Sequence, residues 1–317
     1  MSDRPFEVPV VFLIFKRPET TQRVFSEIAR AKPKKLFIIA DGPQRGNSQQ
    51  EKACRATRAI VEKIDWDCEV FRNYAEVNMG LDARAYSGFD WVFEKVDRAI
   101  IFEDDTLPHP TLFRFHEELL SRYADNPRIL SISGPNYKPF SIQDSYYFSS
   151  YFTMWGWSTW RRAWRGFDRD MKEWPSFRSG GWLAEKMKSR LKAMYYGRML
   201  DLAFEKKTNW DYRWLFYVLR QEGLCITPKV NLVSNIGFGG GSTNTWSESS
   251  IWAEKPLEAM AFPLKHPASI ARNWEMDAED DRIKFSLPGL LKAYLKLILP
   301  PKRHARMRRL ALRLLGR

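Results

Sequence analysis

Three consecutive carboxylates, Glu103-Asp104-Asp105, close the apolar run Arg98-Ala99-Ile100-Ile101-Phe102. Carboxylates this close repel one another unless a cation or hydrogen-bond donors sit among them. A divalent ion, which prefers oxygen ligands, suits such a cluster. It would bridge two phosphates of a nucleotide-sugar and neutralise the charge that builds on a departing diphosphate. Taken alone, the triplet also fits a solvated acidic turn. Its position at the end of a hydrophobic strand argues against that reading.

Three further segments have chemistry-bearing residues at close spacing. In Asn209-Trp210-Asp211-Tyr212-Arg213-Trp214, Asp211 lies where a helix should begin, between large rings. Rings that exclude water raise a carboxylate's pKa and suit it to act as a general base. Asn209 or Asp211 also fits the simpler role of helix cap. Met154-Trp155-Gly156-Trp157-Ser158-Thr159-Trp160 suits a wall for a flat ligand, with Trp155, Gly156, Trp157 and Trp210 as its candidates; a packed hydrophobic crossover is the alternative. Asn235 to Thr245 contains Gly239, Gly240, Gly241 and Ser242. Glycines let backbone approach a phosphate. The segment lacks the lysine and the strand-loop-helix setting of a P-loop and reads equally as a surface loop or a lid.

The elements that must position these residues alternate. Val8–Phe15 is continuously apolar and stops before Pro18, as expected of a strand buried on both faces. Helical spacing follows over Thr20–Ala31, a strand over Lys35–Ala40, a helix over Ser48–Ile64, a strand over Cys68–Arg72, a helix over Leu81–Glu94 and a strand over Arg98–Phe102. Such alternation predicts an α/β fold with a mostly parallel central sheet flanked by helices. Ligands then sit beyond the carboxyl ends of the strands. The exits Lys16-Arg17, Asp41-Gly42 and Glu103-Asp104-Asp105 would share one crevice. Further on, the pattern predicts helices over Pro110–Ala124, Lys186–Glu205 and Asp211–Gln221, and strands over Ile129–Ser133 and Leu224–Pro228. Residues 146–182 read as loops and short helices.

The 317 residues are 44% hydrophobic, which allows a sizeable core. Cys54, Cys68 and Cys225 have no metal-ligand spacing, and three cysteines argue against a disulfide framework. The four histidines show no paired spacing for zinc. No stretch of about 18 apolar residues suggests a membrane span, and the first residues do not read as a signal peptide, so a cytoplasmic protein is expected. The formal charge is +13, but four Lys and six Arg, with no Asp or Glu, lie from Lys284 onward. The basicity therefore belongs largely to residues 284–317, where leucines alternate with arginines. An amphipathic basic segment can lie on an anionic membrane face. A solvated or partner-binding helix is the plainer reading. Nothing in the body of the chain supports nucleic-acid binding.

In motif order, residues 8–246 resemble glycosyltransferases of the GT-A fold, above all the Golgi N-acetylglucosaminyltransferase family that acts on mannose arms of glycoproteins. The resemblance rests on Ile100-Ile101-Phe102-Glu103-Asp104-Asp105, Trp155-Gly156-Trp157, Trp210-Asp211-Tyr212-Arg213-Trp214, and Ile226-Thr227-Pro228 leading to Gly237–Thr245. Bacterial relatives with an Asn-x-Gly-Leu segment look closer still, here Asn78-Met79-Gly80-Leu81. The resemblance implies a nucleotide-binding half at about 8–135 and an acceptor half at about 136–283. It implies Mn²⁺ or Mg²⁺ on Asp105, ribose on Asp104, donor sugar on Glu103, and nucleotide on Arg17 and Asp41, with Asp41 reading uracil. Asp211 would be the base of an inverting displacement. The acceptor would be a glycan or a lipid-linked sugar. Two departures stand out. The family's histidine near the donor has no clear counterpart, Arg84 being the nearest substitute. Tyr212 and Arg213 replace an acidic residue beside the base. A sugar nucleotidyltransferase is a competing enzyme class, disfavoured because Lys16-Arg17-Pro18 lacks its glycine-rich signature. A non-catalytic sugar-binding or membrane-surface protein on a transferase scaffold is the non-enzyme alternative.

Overall fold

The computed structural model describes residues 6–137, 142–206, 210–237 and 255–284. Within them the chain begins β1 (Val10–Ile14), α1 (Pro18–Ala31), β2 (Lys35–Ala40), α2 (Ser48–Val61), β3 (Glu69–Tyr74), α3 (Leu81–Phe93), β4 (Arg98–Glu103). It continues with β5 (Thr106–Pro108), α4 (Thr111–Arg122), β6 (Ile129–Ile132), β7 (Tyr146–Ser149), β8 (Trp157–Trp160) and α5 (Arg161–Gly166). Then follow α6 (Trp174–Arg178), α7 (Trp182–Met187), α8 (Arg190–Lys206), α9 (Trp210–Arg220), β9 (Leu224–Pro228), β10 (Val233–Asn235) and α10 (Trp274–Lys284).

The predicted architecture is the observed one. An eight-stranded sheet of order β3-β2-β1-β4-β8-β6-β9-β7 is covered by helices on both faces. Four of its seven pairings are parallel. The unbroken apolar runs of β1, β2 and β4 follow from this, because alternate side chains enter different cores. Val10, Phe12 and Ile14 join α1 and α4 on one face. Val11 and Leu13 join α3, α5 and α9 on the other. A third cluster, around Trp174, Leu200 and Phe216, gathers α6 to α9.

Residues 146–182 depart from expectation, since they contain β7 and β8. Each has four residues, all buried, so neither shows polar-apolar alternation. β8 lies antiparallel between β4 and β6, pairing Ile101 with Trp157 and Ile132 with Ser158. The helix expected over Lys186–Glu205 is two helices. Lys188 takes a left-handed conformation, with φ of 48°, and ends α7 before α8 begins. All three cysteines are free. No helix among the described residues is long and apolar enough to cross a membrane.

Candidate functional site

β1, β2 and β4 run parallel in close register, Leu13 opposite Glu103 and Ile14 opposite Ala40. Their carboxyl ends therefore meet along one sheet edge, as predicted. Asp104 is fixed there by the Phe15 amide, which donates to its Oδ2 at 3.1 Å. Arg17 lies just beyond β1. Its Nη1 donates to Asp105 Oδ2 at 2.5 Å and to Asp104 Oδ1 at 3.2 Å. Glu103 is held through its backbone, whose N–H donates to Thr106 Oγ1 while its carbonyl accepts from the same hydroxyl. Thr106 thereby sets the turn that points three successive residues out of the strand.

The remaining oxygen, Asp105 Oδ1, is buried and has no hydrogen-bond partner among the described residues. β10 pairs antiparallel with β5, Asn235 opposite Thr106, and brings the segment after it onto the acidic turn. Ile236 N–H donates to the Asp105 carbonyl at 2.8 Å. A Cβ on Gly237 would lie 2.7 Å from both Cβ and Cγ of Asp105, so this position requires glycine. Gly239, Gly240, Gly241 and Ser242 lie outside the described residues, as do Asn209 and residues 285–317.

Burial dominates the electrostatics. It pushes the Glu103 carboxyl up to about 8, with the charges of Asp105 and Asp104 adding to the effect and Arg17 opposing it. Burial, then the charge of Asp105, lifts Asp104 to about 7; Arg17 and the Phe15 amide pull it back. Asp105 is also raised by burial, against the pull of Arg17. Asp211, in the first turn of α9, contributes to the upward shifts of both Glu103 and Tyr86. The charge of Asp211 is thus felt at both the acidic turn and α3.

Arg213, seen in the sequence only as a departure from a family pattern, anchors that end of α9. It is buried, donates to Tyr86 Oη at 3.1 Å, and pairs with Asp82 at 3.5 Å. It ties the first turn of α9 to the first turns of α3. A single buried arginine inside an amphipathic helix gives no sequence signal of its partners. Thr106 had a better one, as a hydroxyl directly after the acidic triplet.

Two candidates for nucleotide binding have their hydrogen-bonding atoms committed elsewhere. Asp41 accepts from the N–H groups of Gly42 and Met79 at Oδ1. At Oδ2 it accepts from Asn78 Nδ2 and Gly80 N–H. It organises the Asn78-Met79-Gly80 turn that starts α3, where Gly80 has φ of 81°. Arg84 is 3% exposed. Its Nε donates to the Ala40 carbonyl, Nη1 to Ser87 Oγ, and Nη2 to the carbonyl and Oδ1 of Asn73. It braces the ends of β2 and β3.

The aromatic wall divides in the same way. Trp157 and Trp210 are core residues, their rings 5.5 Å apart and packed with Phe89 and Phe152. The strand geometry of β8 sends the Trp157 ring into the sheet's interior. Gly156 is buried against Phe102 and Val233, with φ of 54°. Trp155 is half-buried, its ring beside Tyr137, two residues before Trp157, which pairs with Ile101 of β4.

No protein-family model matches the chain, and no curated protein matches it. Solved structures give weak likenesses. TarS residues 1–349 from S. aureus is 10% identical with a TM-score of 0.42, over 71% of this chain and 59% of that one. A mannosyltransferase, PcManGT from Pyrobaculum calidifontis, in complex with GDP-Man and Mn²⁺, is 11% identical with a TM-score of 0.35, over 50% and 48%. A UTP-bound UGPase from Acinetobacter baumannii is 7% identical with a TM-score of 0.38, over 72% and 88%. The chain thus spans less than two thirds of the TarS and mannosyltransferase structures. At such scores none of these likenesses assigns a substrate or a reaction.

Proposed function

We propose that the chain is a glycosyltransferase that takes a sugar from a nucleotide-sugar and places it on a hydroxyl of a glycan or lipid-linked acceptor. The observation that carries this reading is the buried Asp104–Asp105 pair at the carboxyl end of β4, ion-paired with Arg17 just beyond β1. In an open α/β sheet this edge is where ligands bind. A strand exit that buries two carboxylates against one guanidinium is costly for stability alone. It suits a site that must hold a cationic group and, through it, a diphosphate.

The residues fit a divalent ion anchored at one point. Asp105 offers one uncommitted, buried oxygen, Oδ1. Asp105 Oδ2 and Asp104 Oδ1 are engaged with Arg17. A cage of protein ligands does not fit, since no group of three His, Cys, Asp or Glu is arranged for one among the described residues. Mg²⁺ in particular usually keeps waters and phosphates as its other ligands. Bound at Asp105, such an ion would offset charge on the leaving diphosphate.

The chain's own groups divide the remaining work. Asp211 accepts the proton of the acceptor hydroxyl as that oxygen bonds to the anomeric carbon. The bond from that carbon to the phosphate oxygen breaks, and the nucleoside diphosphate leaves with the electron pair. One base and no protein nucleophile correspond to inversion. Arg17 meets the phosphates, and Glu103 hydrogen-bonds a hydroxyl of the donor sugar.

The test is a calorimetric donor screen across UDP-, GDP- and dTDP-sugars, with and without Mn²⁺, coupled to a measurement of donor hydrolysis. UDP-sugar binding is expected to depend on metal and to vanish in Asp105→Ala. Asp211→Asn is expected to keep binding and lose turnover. Equal behaviour of both variants and the wild type would remove this reading.

A further inference from the structure

Arg17 and a divalent ion would draw on the same carboxylate. Nη1 of Arg17 sits 2.5 Å from Asp105 Oδ2, and the oxygen left over for a cation is the other oxygen of that side chain. An ion on Oδ1, at the roughly 2.1 Å typical of Mg²⁺ ligands, would share one carboxylate with a guanidinium. Like charges so placed disfavour each other.

The two partners differ in their freedom to move. Asp105 is clamped. Its carbonyl accepts from Ile236 N–H, and Gly237 presses against its Cβ and Cγ. Arg17 is not clamped in this way. It precedes α1, makes no side-chain cap bond there, and its side chain is 20% exposed. Among the described residues its side chain bonds to Asp104 and Asp105. A diphosphate offers a guanidinium better acceptors than this pair, because bidentate oxygen recognition is the strength of arginine.

We infer that Arg17 competes with a divalent cation for Asp105, so that the cation enters the site together with a diphosphate rather than ahead of it. The inference rests on the nucleotide-sugar reading given above. In the ligand-free protein Arg17 is the resident cation. An arriving nucleoside diphosphate would draw Arg17 to its phosphates and release Asp105, which would then be free to hold a divalent cation that offsets the phosphate charge. Metal and nucleotide then bind with positive coupling, equal in both directions by linkage.

The experiment is titration of Mn²⁺ alone, and of Mn²⁺ in the presence of UDP, into wild type, Arg17→Met, Arg17→Gln and Arg17→Lys, followed by calorimetry and by the electron paramagnetic resonance of free Mn²⁺. Wild type is expected to bind Mn²⁺ alone weakly, with UDP tightening it by about tenfold or more. Arg17→Met and Arg17→Gln should bind Mn²⁺ alone about tenfold more tightly than wild type and lose most of the coupling to UDP. Arg17→Lys, which keeps the charge, should stay within about threefold of wild type. If Mn²⁺ and UDP bind to wild type but the neutral variants show no gain for Mn²⁺ alone, the competition is refuted and the transferase reading stands. If wild type binds neither Mn²⁺ nor UDP, both fall.

Discussion

Arg84 is the residue for which sequence and structure suggest the most different experiments. As a donor-binding side chain, its loss would impair nucleotide binding and leave stability alone. As a brace, its loss should do the reverse. Nη2 donates to the Asn73 carbonyl at 2.5 Å and to Asn73 Oδ1 at 2.8 Å, and Nε donates to the Ala40 carbonyl at 3.1 Å. The Ala40 carbonyl also accepts from Ala75 N–H, so it keeps a partner when Arg84 is removed. The two bonds to Asn73 therefore dominate. Hydrogen bonds to a charged donor contribute about 1.5–3 kcal/mol each. Against this stands relief from burying a guanidinium that pairs with no carboxylate among the described residues, a burial that also lowers its pKa. The balance for Arg84→Met is a loss of about 2–3 kcal/mol. Arg84→Lys should recover little of it, because an ammonium cannot span Ala40, Ser87 and Asn73 with one planar fork. The assay is urea unfolding, read as a lower midpoint at unchanged slope, alongside UDP binding measured well below the transition. Lost UDP binding at wild-type stability would refute the bracing role and restore Arg84 to the donor site.

Glu103 and Asp104 make stability depend on pH in a defined direction. Their folded-state values, about 8 and about 7, lie above the ordinary values of 4.5 and 3.8. Their contribution is thus complete below the ordinary values and is lost as pH rises through about 7 and 8. Melting temperature should fall across that window, and Asp104→Asn should flatten the fall. Gly237→Ala should push Asp105 out of position, weakening metal-dependent nucleotide binding by about tenfold or more, because Cβ contacts at the spacing found there cannot be relaxed by a flexible side chain; calorimetry of UDP with Mn²⁺ checks this. Trp157→Ala should cost about 3–5 kcal/mol in denaturant unfolding, as expected for emptying a core indole site. A small stability loss with weakened acceptor binding would instead make Trp157 part of a ligand wall.

The sheet core and the acidic site were legible in the sequence for one local reason. A strand buried on both faces must be continuously apolar, so β1, β2 and β4 appear as runs, and the charged residues ending them mark one edge. Parallel order then brings Arg17 to Asp104 and Asp105 without further information. The glycines announced a close approach but not what they approach; that Gly237 meets Asp105 depends on β10 pairing with β5 across more than a hundred residues.

What the sequence could not determine was which polar groups are spent on the protein itself. Asp41 and Arg84 have the composition of ligand-binding residues, yet their atoms are satisfied by Asn78, Met79, Gly80, Asn73 and Ala40. Trp157 and Trp210 fitted a ligand wall or a packed crossover equally well by sequence, and both are buried. Residue type and spacing determine which chemistry is available along the chain. Burial and hydrogen-bond satisfaction decide which part remains available to a ligand, and both are set by residues far away in sequence. Asp105 Oδ1 is left without a partner among the described residues because the Phe15 amide and Arg17 engage the oxygens of Asp104 and the other oxygen of Asp105.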